Sequence, residues 1–98
     1  MRDPRLEKLA KMLLEYSNKV KAGQHVLIKG NVLTKPLMRE LIKHTYRLGA
    51  YPHIELLDDE IGREISLGNT EERMEQTVKW NLEKYKDIDA FITIIADE

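Results

Sequence analysis

The segment Ala90-Phe91-Ile92-Thr93-Ile94-Ile95 decides the fold, because it is apolar on both of its alternating faces and carries no charged side chain. A strand of this kind is typical of a parallel sheet that helices cover on both sides. The segment runs into Ala96-Asp97-Glu98, and ligands and catalytic groups collect at the carboxyl ends of parallel strands. We therefore expect an α/β protein whose sequence stops where its chemistry would begin.

Two further strands are predicted before this segment. Residues 25–30 follow the turn at Gly23 and are rich in branched side chains. Residues 51–57 alternate between polar and apolar side chains, and Pro52 cannot donate a hydrogen bond to a neighbouring strand. Together with residues 90–95, these segments predict a small, mostly parallel sheet in which residues 51–57 form an edge strand.

Amphipathic helices are predicted between the strands. The first begins at Asp3-Pro4 and continues toward Gly23, the second begins at Thr34, and two more, over 58–67 and from Thr70, precede the last strand. This order predicts one α/β domain with three layers, helix, sheet and helix. The predicted core-facing positions are Leu6, Leu9, Ala10, Leu13, Ser17 and Val20 in the first helix and Met74, Val78, Leu82 and Tyr85 in the last.

Composition and charge exclude several classes of protein. The net charge of −1, from 16 basic and 17 acidic residues, gives no field that would hold a nucleic acid. No apolar run approaches the roughly 18 residues of a membrane span, so no membrane partner is expected. The absence of cysteine fits a reducing compartment, which favours a cytoplasmic protein. The 34% of charged residues suggests a thermophilic source.

The three histidines, His25, His44 and His53, raise a metal hypothesis. They fall on the first predicted strand, the second helix and the edge strand, and no two of them have the local spacing of metal ligands. A closed zinc site needs three or four ligands within about 2.0 to 2.3 Å of the ion. We therefore interpret the histidines as surface residues.

Two segments at the predicted carboxyl ends of strands have both a functional and a structural interpretation. Asp58-Asp59-Glu60 offers three carboxylates for a hard cation, but acidic residues at the start of a helix are also favoured by its dipole and free N–H groups, and we prefer capping. Gly30-Asn31-Val32-Leu33-Thr34 leads into a helix whose amides could hold an anion, and an ordinary loop is the alternative. The glycine spacing of dinucleotide-binding loops and P-loops is absent.

A set of motifs occurs in order along the whole chain. These are Arg2-Asp3-Pro4-Arg5-Leu6 with Leu9 and Ala10, Tyr16-Ser17, Val20-Lys21-Ala22-Gly23, Val26-Leu27-Ile28-Lys29-Gly30, Pro36-Leu37, Gly49-Ala50-Tyr51-Pro52 and Ile95-Ala96-Asp97-Glu98. Taken together, they resemble the amino-terminal region of the aminopeptidase S and aminopeptidase T family of metallo-aminopeptidases. The resemblance extends over 1–98, and it is specific as an ensemble rather than in any single motif.

The resemblance implies a chemistry for full-length relatives. Members of the family are much longer, cytoplasmic and homodimeric, and remove amino-terminal residues from peptides with two divalent ions such as zinc or cobalt, which polarise the peptide carbonyl and generate hydroxide. Their metal ligands belong to a later catalytic domain, and no position in this sequence corresponds to them. We therefore assign no catalytic, cofactor-binding or metal-ligating residue here, and we expect the chain to be inactive alone.

The resemblance also implies a role for the amino-terminal domain, which packs on the catalytic domain of the same enzyme and helps to wall the substrate cavity. A peptide substrate would then be bound only by the full-length enzyme. The alternative is a stand-alone α/β module that binds an anion or nucleotide at the loop after the first strand. The residues expected to form the cavity wall, at the carboxyl edge of the sheet, are Gly30, Asn31, Asp58, Asp59 and Asp97.

Overall fold

A computed structural model describes residues 3–96 and confirms the α/β fold class. The three strands lie within one residue of their predicted bounds. Asp58 and Thr70 cap the last two helices through their side chains, as predicted. The elements are α1 (Pro4–Lys11), a π-helical turn (Met12–Ser17), β1 (His25–Asn31), a 3₁₀ turn (Val32–Thr34), α2 (Lys35–Arg47), β2 (Tyr51–Leu57), α3 (Asp59–Leu67), α4 (Glu71–Tyr85) and β3 (Ala90–Ile94).

The three strands form an entirely parallel sheet in the order β2-β1-β3. His25 lies opposite Tyr51 in the β1–β2 pair, and Val26 lies opposite Ala90 in the β1–β3 pair. Within residues 3–96, β2 pairs only with β1, so the prediction of an edge strand from Pro52 is confirmed. β1 is the central strand and sets the register of both neighbours.

The hydrophobic core lies on one face of the sheet, beneath α1, the π-helical turn and α2. The strands contribute alternate residues to it, Val26 and Ile28 from β1 and Ile92 from β3. Burying a large aliphatic side chain contributes about 1.5–3 kcal/mol, so this face supplies most of the stability. The other buried members of the core are Ala10, Leu14, Val20, Met38, Leu41, Ala50 and Ala90.

The first helical segment is shorter than predicted and contains a π-helical turn. It ends at Ser17 rather than near Gly23, and the amide of Asn18 donates to the Leu13 carbonyl at 3.2 Å. The wider turn inserts a residue into the helical repeat, so Leu14 is fully buried while Leu13 is only partly buried. Lys19 then adopts a left-handed backbone conformation, with φ of 49°, which stops the helix before the glycine does.

The second face of the sheet is covered much less completely. α4 reaches it through its last turn, where Tyr85 packs edge-to-face on Phe91 with ring centroids 5.7 Å apart. Every residue from 58 to 80 is exposed, so the predicted apolar face of α4 lies open except near Tyr85. The radius of gyration is 15.1 Å, against about 13 Å for a compact domain of 100 residues.

No helix within residues 3–96 is long and apolar enough to cross a membrane.

Glu55 on β2 anchors the end of α4 to the sheet. Its Oε1 accepts hydrogen bonds from Lys84 Nζ at 2.7 Å and from the Tyr85 hydroxyl at 2.5 Å, and Lys29 Nζ lies 3.7 Å from Oε2. Partial burial raises the pKa of Glu55, but the hydrogen bonds from Lys84 and Tyr85 outweigh it, so the net pKa lies below the ordinary value. The bond to the Glu55 carboxylate raises the pKa of Tyr85.

We predict that Glu55→Gln destabilises the fold near neutral pH by about 1 kcal/mol, because the charged acceptor is lost. Since the folded-state pKa of Glu55 is lowered, its contribution is present above the unfolded pKa and disappears as the pH falls through the folded pKa. The stability difference between wild type and variant, measured by urea denaturation, should therefore shrink below about pH 4.

Glu83→Gln is the matched control, because Glu83 also accepts from a lysine, Lys86 Nζ at 2.8 Å, but is largely exposed. It should change stability by less than about 0.5 kcal/mol at every pH. A Glu55→Gln effect that is equally small, or that persists undiminished in acid, would contradict the anchoring role.

Candidate functional site

The carboxyl edge of the sheet holds a cavity of about 520 Å³ built from the ends of all three strands. The turn after β1 supplies apolar side chains, the start of α3 supplies carboxylates, and the segment after β3 closes the third side. Because the strands are parallel, their ends meet at this one edge. The lining residues are Asn31, Val32, Leu33, Leu57, Asp58, Asp59, Glu60 and Ala96.

Asn31 ties the ends of two strands together beside this cavity. Its Nδ2 donates to the Ala96 carbonyl at 2.7 Å, and its Oδ1 accepts from the Ala96 amide at 3.4 Å. The side chain thus bonds the backbone that follows β3 and fixes the spacing of β1 and β3 at their carboxyl ends. Asp97, the next residue of the expected wall, lies outside the described residues.

Gly30 lies just before the cavity and is buried in the sheet rather than lining the wall. A Cβ atom at this position would overlap Thr34 Oγ1 and would lie 3.1 Å from the Ile94 carbonyl oxygen. Thr34 cannot easily move away, because its hydroxyl donates to the Asn31 carbonyl at 2.7 Å. The glycine therefore allows the turn after β1 to fold closely over the sheet.

The acidic segment at the start of α3 divides its carboxylates between capping and the cavity. Asp58 Oδ1 accepts hydrogen bonds from the amides of Glu60 at 3.0 Å and Ile61 at 3.1 Å, which is the capping interpretation. The cap uses the side chain of Asp58 alone, and Asp59 and Glu60 also line the cavity. Among residues 3–96, no group of three or more metal-ligating side chains is placed to hold an ion, so these residues do not fit a two-metal centre.

The loop after β1 offers little to an anion. The Thr34 hydroxyl is used within the turn, and no side chain caps the start of α2. The cavity beside the loop is lined by Asp58, Asp59 and Glu60 and by no lysine or arginine. Its negative charge repels phosphate groups, so the geometry does not favour the nucleotide-binding alternative.

The amino edge of the sheet brings two histidines together. His25 Nδ1 lies 2.9 Å from His53 Nε2, and the His25 ring also stacks on Tyr51 with centroids 5.0 Å apart. His44, in contrast, is paired with Glu15 at 2.7 Å between α2 and the π-helical turn. Sequence spacing misses the His25–His53 pair because 28 residues separate the two positions, and only the β1–β2 register could have identified it.

A depression of about 850 Å³ runs along α4. All of its lining residues lie between Thr70 and Asn81, so a single helix and its cap form it. Trp80 stands at its side with 77% of its surface exposed. One helix face does not enclose a ligand, and apart from Trp80 the lining side chains are polar or charged, so the depression is not a candidate site.

Comparison with known proteins shows a family and a related solved structure. A family model described as thermophilic metalloprotease (M29) matches residues 2–98. Wild-type AmpT from Thermus thermophilus superposes with a TM-score of 0.58 and 27% sequence identity, over 70% of the present chain. The matched part makes up 18% of the AmpT chain, so the present chain spans a small share of that relative. No curated protein matches the sequence.

We predict that Gly30→Ala destabilises the fold by about 1–3 kcal/mol, because the added methyl group forces the turn at Thr34 away from the sheet. Gly62→Ala is the matched control, since a Cβ atom at that position in α3 meets nothing within 4 Å. It should leave stability unchanged or raise it by about 0.5–1 kcal/mol through helix propensity. Chemical denaturation measures both changes, and equal effects at the two glycines would refute this packing account.

Proposed function

Because this chain belongs to the thermophilic metalloprotease family, we propose that it is the amino-terminal, non-catalytic α/β domain of a metallo-aminopeptidase. The observation that carries the proposal is the family match along residues 2–98. In the described residues, no group of side chains is placed to hold the two divalent ions that such chemistry needs. We therefore assign the metal centre, with zinc or cobalt as its ions, to a catalytic domain outside the matched segment.

The proposed contribution of this domain is one wall of the substrate cavity. Val32 and Leu33 give the carboxyl-edge cavity an apolar side, and Asp59 and Glu60 give it a negative one. A peptide presents a positively charged amino terminus next to a side chain that is often apolar. The sign of the charge at this edge therefore favours such a substrate over an anionic one.

The exposed apolar surface of α3 and α4 supports the proposal that the catalytic domain is the partner of this domain. α3 and α4 leave a large number of apolar side chains in solvent, and contiguous exposed apolar surface marks a contact with another protein. In the proposed enzyme, the catalytic domain of the same chain covers this surface, and a homo-oligomer contact is the second proposed occupant. The exposed apolar side chains are Ile61, Ile65, Leu67, Met74, Val78, Trp80 and Leu82.

The proposed cellular location and source of the enzyme are based on its composition and on the relative described above. We propose a cytoplasmic protein, since a chain without cysteine suits a reducing compartment. A thermophilic source is consistent with the high content of charged residues and with the similarity to a protein from Thermus thermophilus.

We predict that the purified chain releases no product from leucine p-nitroanilide in the presence of cobalt or zinc. A chimera in which this chain replaces the matched segment of AmpT should hydrolyse the same substrate. In that chimera, Asp59→Asn should raise KM several-fold with little change in kcat, because Asp59 contacts substrate without taking part in bond cleavage.

Glu83→Gln in the chimera is the control, because Glu83 is exposed and distant in sequence from the cavity. Metal-dependent turnover by the isolated chain would refute the non-catalytic role. An active chimera in which Asp59→Asn and Glu83→Gln have the same KM would refute the role of the carboxyl edge as a substrate wall.

A further inference from the structure

We propose that His25 and His53 form a surface site for one divalent transition-metal ion of the copper and nickel class. The site lies at the amino edge of the sheet, in a cavity of about 460 Å³ that Leu27 and Tyr85 also line. It is separate from the carboxyl-edge cavity, because His25 begins β1 and Asn31 ends it. Such a site could bind an ion whether or not the chain has the proposed enzymatic function.

The distance between the two facing nitrogens suits ligands at adjacent coordination positions of such an ion. Two nitrogens bound at about 2.0–2.1 Å and about 90° apart are separated by about 2.9 Å, whereas tetrahedral ligands are separated by about 3.4 Å. The separation of His25 Nδ1 and His53 Nε2 is 2.9 Å. The separation of the two nitrogens is therefore closer to the one in the tetragonal geometry that Cu²⁺ and Ni²⁺ adopt with nitrogen and oxygen ligands than to the one in the tetrahedral geometry of zinc.

Binding requires a change of tautomer and a rotation of each ring by roughly 45°, because the facing nitrogens point at each other in the hydrogen-bonded pair. In the metal-free pair, one facing nitrogen carries a proton and donates a hydrogen bond to the other. On binding, that proton moves through solvent to the far nitrogen of the same ring, so two neutral imidazoles offer their facing nitrogens to the ion. The exposed position of His53 leaves room for the rotation, and water completes the coordination.

The backbone holds the two histidines next to each other before any ion arrives. In the β1–β2 register, His25 lies opposite Tyr51, and the stacked Tyr51 ring limits the orientations open to the imidazole. The His25 amide donates to Asp89 Oδ2 at 2.8 Å, and the Asp89 amide donates to the His25 carbonyl at 2.8 Å. These bonds fix the backbone at the start of β1, so binding has to order only the two side chains.

Isothermal titration of the tag-free chain with Cu²⁺ alone tests the site. We expect one ion per chain, and electron paramagnetic resonance of the complex should show two equatorial nitrogen ligands. His53→Asn should weaken binding at least tenfold and remove one nitrogen from the spectrum. His25→Asn should do the same, with circular dichroism confirming that each variant is folded.

His44→Asn is the matched control, because His44 is the third histidine of the chain and is paired with Glu15. It should leave the stoichiometry, the affinity and the spectrum unchanged. The proposal is overturned if wild type binds no Cu²⁺, if the His53 variant binds as tightly as wild type, or if His44→Asn weakens binding as much as His53→Asn does.

Discussion

The central position of β1 is the constraint on which the rest of the structure depends. Val26 and Ile28 point into the core beneath α2, while Leu27 is buried on the opposite face. A strand that is buried on both faces and hydrogen-bonded along both edges fixes the register of its two neighbours. A shift of one residue would turn its apolar side chains to the wrong faces. The two ends of β1 therefore determine what lies at each edge of the sheet.

The part of the fold that local chemistry dictates could be predicted from the sequence. Asp3, Asp58 and Thr70 cap helices through their own side chains, and Pro52 marks an edge strand because it has no amide hydrogen to donate. The branched residues of β1 and β3 identified the strands. Each of these signals depends on a residue and its immediate neighbours.

What the sequence could not predict depends on contacts between distant segments. The π-helical turn at Met12–Ser17 follows from packing of Leu14 into the core, and periodicity alone gave a regular helix instead. The His25–His53 pair needs the strand register, which local spacing does not contain. The apolar face of α4 indicated a helix correctly, but it could not show that this face would remain exposed. At the candidate site, Asp58 and Asp59 were identified from their place after β2, while the burial of Gly30 became visible only with Thr34 folded over it.

From these features we propose that this domain is completed by protein surface that it does not itself supply. Amide hydrogen exchange, measured residue by residue in the isolated chain and in the AmpT chimera, tests that claim most directly. The account predicts slow exchange in β1 in both proteins, and fast exchange over residues 59–85 in the isolated chain that becomes slow in the chimera. Helices α3 and α4 that are already as protected as β1 in the isolated chain, or that gain no protection in the chimera, would contradict it.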